Sequence, residues 1–127
     1  MTKNNDVPYY FIGCPFSGSP ALKQERLLLC KTLSVYFLEK NIYVFAPIVL
    51  NESLVEEFSE EQLVKRKSLL MPMNEAILKR SSGLILLTVS GWQESKGIKR
   101  YLEMCNENQI PVCHLNPYDK DKKLDFS

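Results

Sequence analysis

Leu84-Ile85-Leu86-Leu87-Thr88-Val89, then Gly91-Trp92-Gln93-Glu94-Ser95-Lys96-Gly97, then a helix-like Ile98–Glu107: this stretch decides the fold. Successive apolar positions bury both faces of a strand, the pattern of a central parallel strand. A buried strand that ends in a small-residue turn and feeds a helix is a common place for α/β proteins to hold a phosphate. The helix N-terminus presents free N–H groups and a partial positive charge. Ser95 adds a hydroxyl, Lys96 a charge, and Gly97 lets the backbone come close.

Upstream, Tyr9-Tyr10-Phe11-Ile12 is an aromatic and β-branched run that stops at Gly13 and reads as a first strand. Cys14-Pro15-Phe16-Ser17-Gly18-Ser19-Pro20 is a turn-rich loop. Its Ser19-Pro20 end has the pattern of an N-cap with proline at the first helical position. Ala21 to Lys40 reads as a long helix with Leu27, Leu28, Leu29, Leu33, Tyr36 and Phe37 on an apolar face. Asn41 suits the left-handed residue that closes it. Ile42–Ala46 reads as a second strand closed by Pro47, and Asn51–Phe58 fits either a loop or a helical turn. Ser59-Glu60-Glu61-Gln62 opens another helix with a cap and first-turn acids. Pro72 predicts a break or kink near Met71, after which Met73–Arg80 continues as helix. Gly83–Val89 is the buried strand, a helix over 94–107 follows, and Pro111–Leu115 is a last short strand.

The order β-α-β-α-β-α-β carries no repeat and no linker. It predicts an α/β fold, a doubly wound parallel sheet of about four strands in a three-layer α/β/α arrangement. Ligands of such sheets bind beyond the carboxyl ends of the strands, where the loops 13–19, 46–50 and 90–97 are expected to converge. At 127 residues the chain is expected to be a single domain over 1–127, with an ordered core of about 8–117 between polar termini. The tail Asp119–Asp125 is a mixed charge run expected to be solvated. A net charge of +1 gives no nucleic-acid footprint. No signal peptide or membrane span is visible, so a cytoplasmic protein without a membrane partner is expected.

The four cysteines, Cys14, Cys30, Cys105 and Cys113, form no C-x-x-C pair, and no histidine lies at metal-ligand spacing. No metal and no cofactor is expected, and the cysteines read as buried free thiols in a reducing cytosol. Cys14 is the partial exception. It stands at a strand end, where a thiol can be exposed and have a lowered pKa, but its only conceivable base is His114. The 13–19 and 91–97 loops are expected to face one another across the crevice. Phe16, with Tyr9 or Tyr10 nearby, offers a stacking surface for a planar base, and the second loop offers an anion site, with Lys96 able to pair with phosphate. Base plus phosphate suggests a nucleotide. The plainer alternative makes Phe16 and Trp92 core or loop anchors and Gly97 a packing residue; Trp92 and His114 read as structural.

Several pieces together resemble the nucleoside 2-deoxyribosyltransferase-like superfamily, in particular its small bacterial and phage branch with a G-W-x-x-S-x-G motif. They are Tyr10-Phe11-Ile12-Gly13-Cys14-Pro15-Phe16, Val44-Phe45-Ala46-Pro47-Ile48, Met73-Asn74-Glu75-Ala76-Ile77-Leu78, Gly91 to Gly97, and Ile110-Pro111-Val112. The resemblance implies a flavodoxin-like sheet, a homo-oligomer with sites near subunit contacts, and chemistry at the N-glycosidic bond of deoxynucleosides or their 5′-monophosphates. It places Ser95, with Lys96 and Gly97, at the 5′-phosphate, and the first loop, here Gly13, Pro15, Phe16 and Ser17, at the base.

The catalytic acids of that superfamily do not carry over. Tyr101 stands where the nucleophilic Glu is expected, Asn74 where an Asp opens the preceding helix, and Ser82 where a second Asp precedes the buried strand. A carboxylate at the sugar C1′ stabilises oxocarbenium character or forms the glycosyl-enzyme, and another protonates the leaving base. A neutral phenol and an amide are poor substitutes. Glu94 is the best-placed remaining acid, while Glu75 and Glu103 read as surface carboxylates. Three readings follow: an N-glycosidic-bond hydrolase or transferase working through Glu94, a nucleotide-binding module without catalysis, and an interaction domain that retains only the fold.

Overall fold

The structure, a computed structural model, describes residues 7–127. Four strands, β1 (Tyr10–Gly13), β2 (Val44–Phe45), β3 (Gly83–Leu87) and β4 (Val112–Leu115), form one sheet in the order β2-β1-β3-β4. Every pairing is parallel, with Phe11 opposite Phe45 and Leu84, and Leu86 opposite His114. Five helices connect and cover them: α1 (Pro20–Leu38), α2 (Pro47–Val55), α3 (Glu60–Val64), α4 (Arg66–Lys79) and α5 (Lys96–Glu107). This is a three-layer α/β arrangement with a flavodoxin-like strand order. Among the described residues no helix is long and apolar enough to cross a membrane.

Strand alternation divides the core in two. Ile12, Cys14, Ile85, Leu87 and Leu115 face α1 and pack with Cys30, Leu33 and Phe37. Phe11, Leu84 and Leu86 face the other way and pack with Leu78 of α4 and Ile98, Tyr101, Met104 and Cys105 of α5. β3 is buried at every position, as its unbroken apolar run demands.

Local signals account for several boundaries. Ser19 caps α1 by accepting from Leu22 N at 3.2 Å, with Pro20 in the first turn. Asn41 has φ 61°, the left-handed turn that follows α1. Ser59 and Gln62 form a reciprocal capping box at the start of α3.

Four expectations are corrected. Pro47 does not end an element. It occupies the first turn of α2, where its fixed φ and missing N–H fit, so the 46–50 stretch is a helix start and not a loop. Pro72 does not break its helix, since α4 runs through it and the break falls at Lys65. Leu70, Asn74 and Leu78 are buried one turn apart, while Pro72 lies on the exposed side where a helix can absorb a lost bond by curving. The buried stripe of α1 is Arg26, Cys30, Leu33 and Phe37, and Leu28 is exposed. The tail is not simply solvated. Leu124 and Phe126 pack on the α1-side core, Phe126 stacks on Tyr10 at 5.2 Å, and Asp125 N donates to Cys113 Sγ at 3.3 Å. The tail covers sheet surface that α1 leaves open, and Gly83 makes room for it, since a Cβ there would stand 2.6 Å from Phe126 Cε1.

Candidate functional site

In the order β2-β1-β3-β4 the chain leaves β1 toward one edge and β3 toward the other. A ligand crevice is therefore expected above the carboxyl ends of these two strands. Its walls are the loop after Gly13 and the loop after Leu87. One side chain ties them together. Arg26 donates from Nη1 to Pro15 O at 3.2 Å and from Nη2 to Ser90 O at 3.0 Å. Arg26 is only 4% exposed, and its buried Nε has no hydrogen-bond partner. It forms no ion pair among the described residues, an unusual state for a buried guanidinium.

The start of α5 forms the second feature. Gly91, at φ 90°, takes a left-handed turn that admits glycine readily, and Trp92–Glu94 form one 3₁₀ turn. Ser95 caps α5, its Oγ accepting from Ile98 N at 3.2 Å. Its hydroxyl hydrogen stays available for donation. The N–H groups of Lys96 and Gly97 have no backbone acceptor among the described residues, as first-turn geometry requires. Lys96 is exposed and makes no ion pair among the described residues. Gly97 is exposed, and a Cβ there would meet only Ser95 Oγ at 3.8 Å. Packing does not require glycine at 97, so a packing role does not account for it.

The first loop is more interior than a binding loop is expected to be. Gly13 is buried, and a Cβ there would lie 3.1 Å from Leu84 Cδ1 and 3.4 Å from Ile98 Cδ1, so its glycine serves sheet-to-α5 packing. Pro15 is buried, Phe16 is half-buried on the α1-side core with Lys23 Nζ 5.8 Å from its ring centroid, and Ser17 is exposed. Tyr9 and Tyr10 do not join Phe16. They stand at the amino end of β1, where Tyr9 donates to Ile77 O at 2.6 Å and Tyr10 stacks on Phe126.

Asn74 and Tyr101 are brought together between α4 and α5. Both are buried, and Asn74 Oδ1 has no hydrogen-bond partner among the described residues. Tyr101 meets Phe11 edge-on at 5.0 Å. Burial, reinforced by the charge of Glu75, pushes the Tyr101 phenol up to about 12, against an opposing effect of the Asn74 amide. Ser82 donates its N–H to Tyr9 O at 2.8 Å. Glu75 pairs with Arg100 at 3.2 Å, and Glu103 lies 3.9 Å from the same guanidinium. Glu94 is apart from all of these, exposed on the 3₁₀ turn. Trp92 packs on the α5-side core and meets His114 edge-on at 5.5 Å. A hollow of about 360 Å³ beside α5 shares only Trp92 and Gln93 with the 91–97 stretch and includes nothing from the first loop.

All four cysteines are free and buried, as expected, Cys14 included. Its neighbours are Cys30 and Arg26, not His114. Cys30 holds the Cys14 thiol below its ordinary value, aided by Arg26 and opposed by burial. The same influence, with burial, drives Cys30 upward.

Arg26 is the residue that sequence reasoning missed. It was signalled: Arg26, Cys30, Leu33 and Phe37 are spaced i, i+4, i+7 and i+11, so the arginine falls on the core stripe. The adjacent Leu27-Leu28-Leu29 run obscured that register.

Fold and loops define a small, single-sheet parallel α/β domain whose two switch-point loops are joined by a buried arginine. Residues 8–116 match DUF1937, described as a domain of unknown function, and the chain belongs to that family. Comparison with curated proteins finds no match.

Proposed function

We propose that the chain binds a nucleoside 5′-monophosphate, or a closely related nucleotide, in the crevice above the carboxyl ends of β1 and β3. The observation that carries this reading is Arg26, a buried cation with no carboxylate partner among the described residues, which pins both loops by their carbonyls. It favours an anion at this end of the sheet, where the start of α5 offers what a phosphate needs. The N–H groups of Lys96 and Gly97, the Ser95 hydroxyl and the Lys96 ammonium are all donors without competing acceptors there. Phe16 supplies the apolar surface for a base. The resemblance to nucleoside 2-deoxyribosyltransferases supports the same ligand class.

Binding is proposed without glycosidic catalysis by Asn74 and Tyr101. A phenol held near 12 is neutral at pH 7, and an amide carries no charge to stabilise an oxocarbenium ion. Cleavage from this crevice would rest on Glu94. The test is thermal unfolding with a panel of nucleoside monophosphates, the matching nucleosides and inorganic phosphate. The monophosphates are expected to stabilise most, by about 2.7 kcal/mol at a hundredfold excess over Kd. A panel that stabilises nothing would refute the reading. Free base released from a monophosphate, and lost in Glu94→Gln, would establish the enzyme instead.

A further inference from the structure

The helical arm that leads into α4 carries a face that the domain does not cover. α3 and α4 meet at Lys65, and the helical ladder bridges the junction. Lys65 N donates to Glu61 O at 3.3 Å, and Leu69 N donates to Lys65 O at 3.0 Å. No residue from Glu60 to Leu69 is buried, and the first buried position is Leu70. Leu63 and Val64 nevertheless stand in that stretch, 40% and 87% exposed. Leu63 lies seven residues before Leu70, so the buried stripe of α4 continues past the end of the core. A helix as short as α3 is marginal in water by itself. The Ser59–Gln62 capping box and the Glu61–Lys65 pair at 3.2 Å hold its shape but leave its apolar side chains in solvent.

Glu60, Leu63, Val64 and Lys67 are spaced i, i+3, i+4 and i+7 and share one side of this arm. The two ends of that face carry opposite charges, and its middle is apolar. Glu60 and Lys67 are exposed and form no ion pair among the described residues, whereas Glu61 pairs with Lys65 and Arg66 with Glu52. Such a face is complementary to itself when reversed. We propose that it is the interface between two copies of the chain, packed antiparallel about a two-fold axis between Leu63 and Val64. The axis sets Leu63 of each copy against Val64 of the other, and Glu60 of each against Lys67 of the other. The contact is isologous and closes as a dimer. Two apolar side chains of each copy leave water, and both unpaired charges gain a counter-ion. A partner of one charge sign would satisfy only one end of the face, which is why a second copy is the occupant. The interface uses neither the loop after Gly13 nor the loop after Leu87, so it stands or falls without the nucleotide reading.

Two short arms bury little area, so the dimer belongs to the weak class, with a dissociation constant expected above about 1 µM. The full chain is followed by analytical ultracentrifugation from about 5 µM to about 1 mM. The 14.7 kDa monomer is expected to give way to a dimer over this range. Val64→Asp is expected to raise the dissociation constant at least about tenfold, because it places a carboxylate in the apolar middle of the contact. Lys67→Glu sets Glu60 against a like charge twice and is expected to do the same, by at least about tenfold. Adding Glu60→Lys to Lys67→Glu reverses both charges and is expected to restore the dimer, which a folding defect would not allow. All three positions are exposed, so thermal unfolding of the dilute variants is expected to match that of the parent chain. A monomer at every concentration would overturn the proposal and leave the face to a different partner. A dimer indifferent to Val64→Asp and Lys67→Glu would overturn it in favour of another surface. A double reversal that fails to restore the dimer would overturn the antiparallel pairing.

Discussion

Tyr101→Phe is a quantitative test of whether this residue belongs to the core or to a reaction. The phenol rises from 10.0 to about 12 in the folded chain, first because it is buried and then because Glu75 is near. A group whose folded pKa lies above its unfolded value stabilises the fold fully below the unfolded pKa. That contribution disappears as pH climbs through the folded one. The window for Tyr101 therefore opens near pH 10 and closes near pH 12. A two-unit rise corresponds to about 2.7 kcal/mol, the stability that this one phenol loses across the window. At neutral pH the substitution removes only the phenol oxygen beside Asn74, a change of no more than about 1 kcal/mol. The assay is urea unfolding of both proteins at intervals from about pH 8 to about pH 12. Cys105, raised to about 11, loses stability in the same range in both chains, so the difference between the curves isolates Tyr101. The Phe chain is expected to start within about 1 kcal/mol of the Tyr chain and to end the more stable of the two. Parallel curves would refute the placement of Tyr101 in the interior, and with it the argument that the phenol is unavailable as a catalytic charge.

Gly97→Ala is expected to leave the fold intact or raise its stability by about 0.5 kcal/mol, because a Cβ there has room and alanine favours helix. It is also expected to cut the thermal shift produced by nucleoside monophosphates, and an unchanged shift would remove the start of α5 from the site. Ser95→Ala is expected to cost about 1 kcal/mol in urea unfolding through the lost cap on Ile98 N, whatever its effect on ligand. Gly83→Ala is expected to cost about 1–3 kcal/mol by overpacking against Phe126 and much less in a Phe126→Ala background; additive costs would show that the tail does not pack there.

The parallel sheet was legible because Leu84–Leu87 is apolar at every step, and burial on both faces leaves few alternatives. The caps at Ser19 and Ser59 were legible because their chemistry is local. Pro47 and Pro72 misled because proline restricts its own turn, while tertiary packing decides whether a helix begins or continues there. The tail was unreadable for a related reason. Leu124 and Phe126 are two apolar residues among charges, and only the open sheet face beside α1 gives them a place to pack. At the site, the start of α5 was visible as a motif. The bond from Arg26 to Ser90, 64 residues away in sequence, was not.

The two faces of the sheet assign the charge of the crevice. On the α5 face, the positions where the resemblance expects acids hold a buried phenol and a buried amide, both neutral at pH 7. On the α1 face, Arg26 brings a full positive charge to the loop carbonyls. The carboxylates nearest to Asn74 and Tyr101 in sequence, Glu75 and Glu103, are drawn to Arg100 on the outside of α5. The loops at this end of the sheet thus carry a buried cation and helix-start donors, with Glu94 exposed on the 3₁₀ turn before α5. The proposed binding of an anion accords with such charges better than stabilisation of the cationic sugar of a breaking glycosidic bond would. Adding an acid at Tyr101 would not restore that chemistry. Tyr101→Glu would bury a carboxylate against Phe11 and near Glu75, and its pKa would rise until it too was neutral.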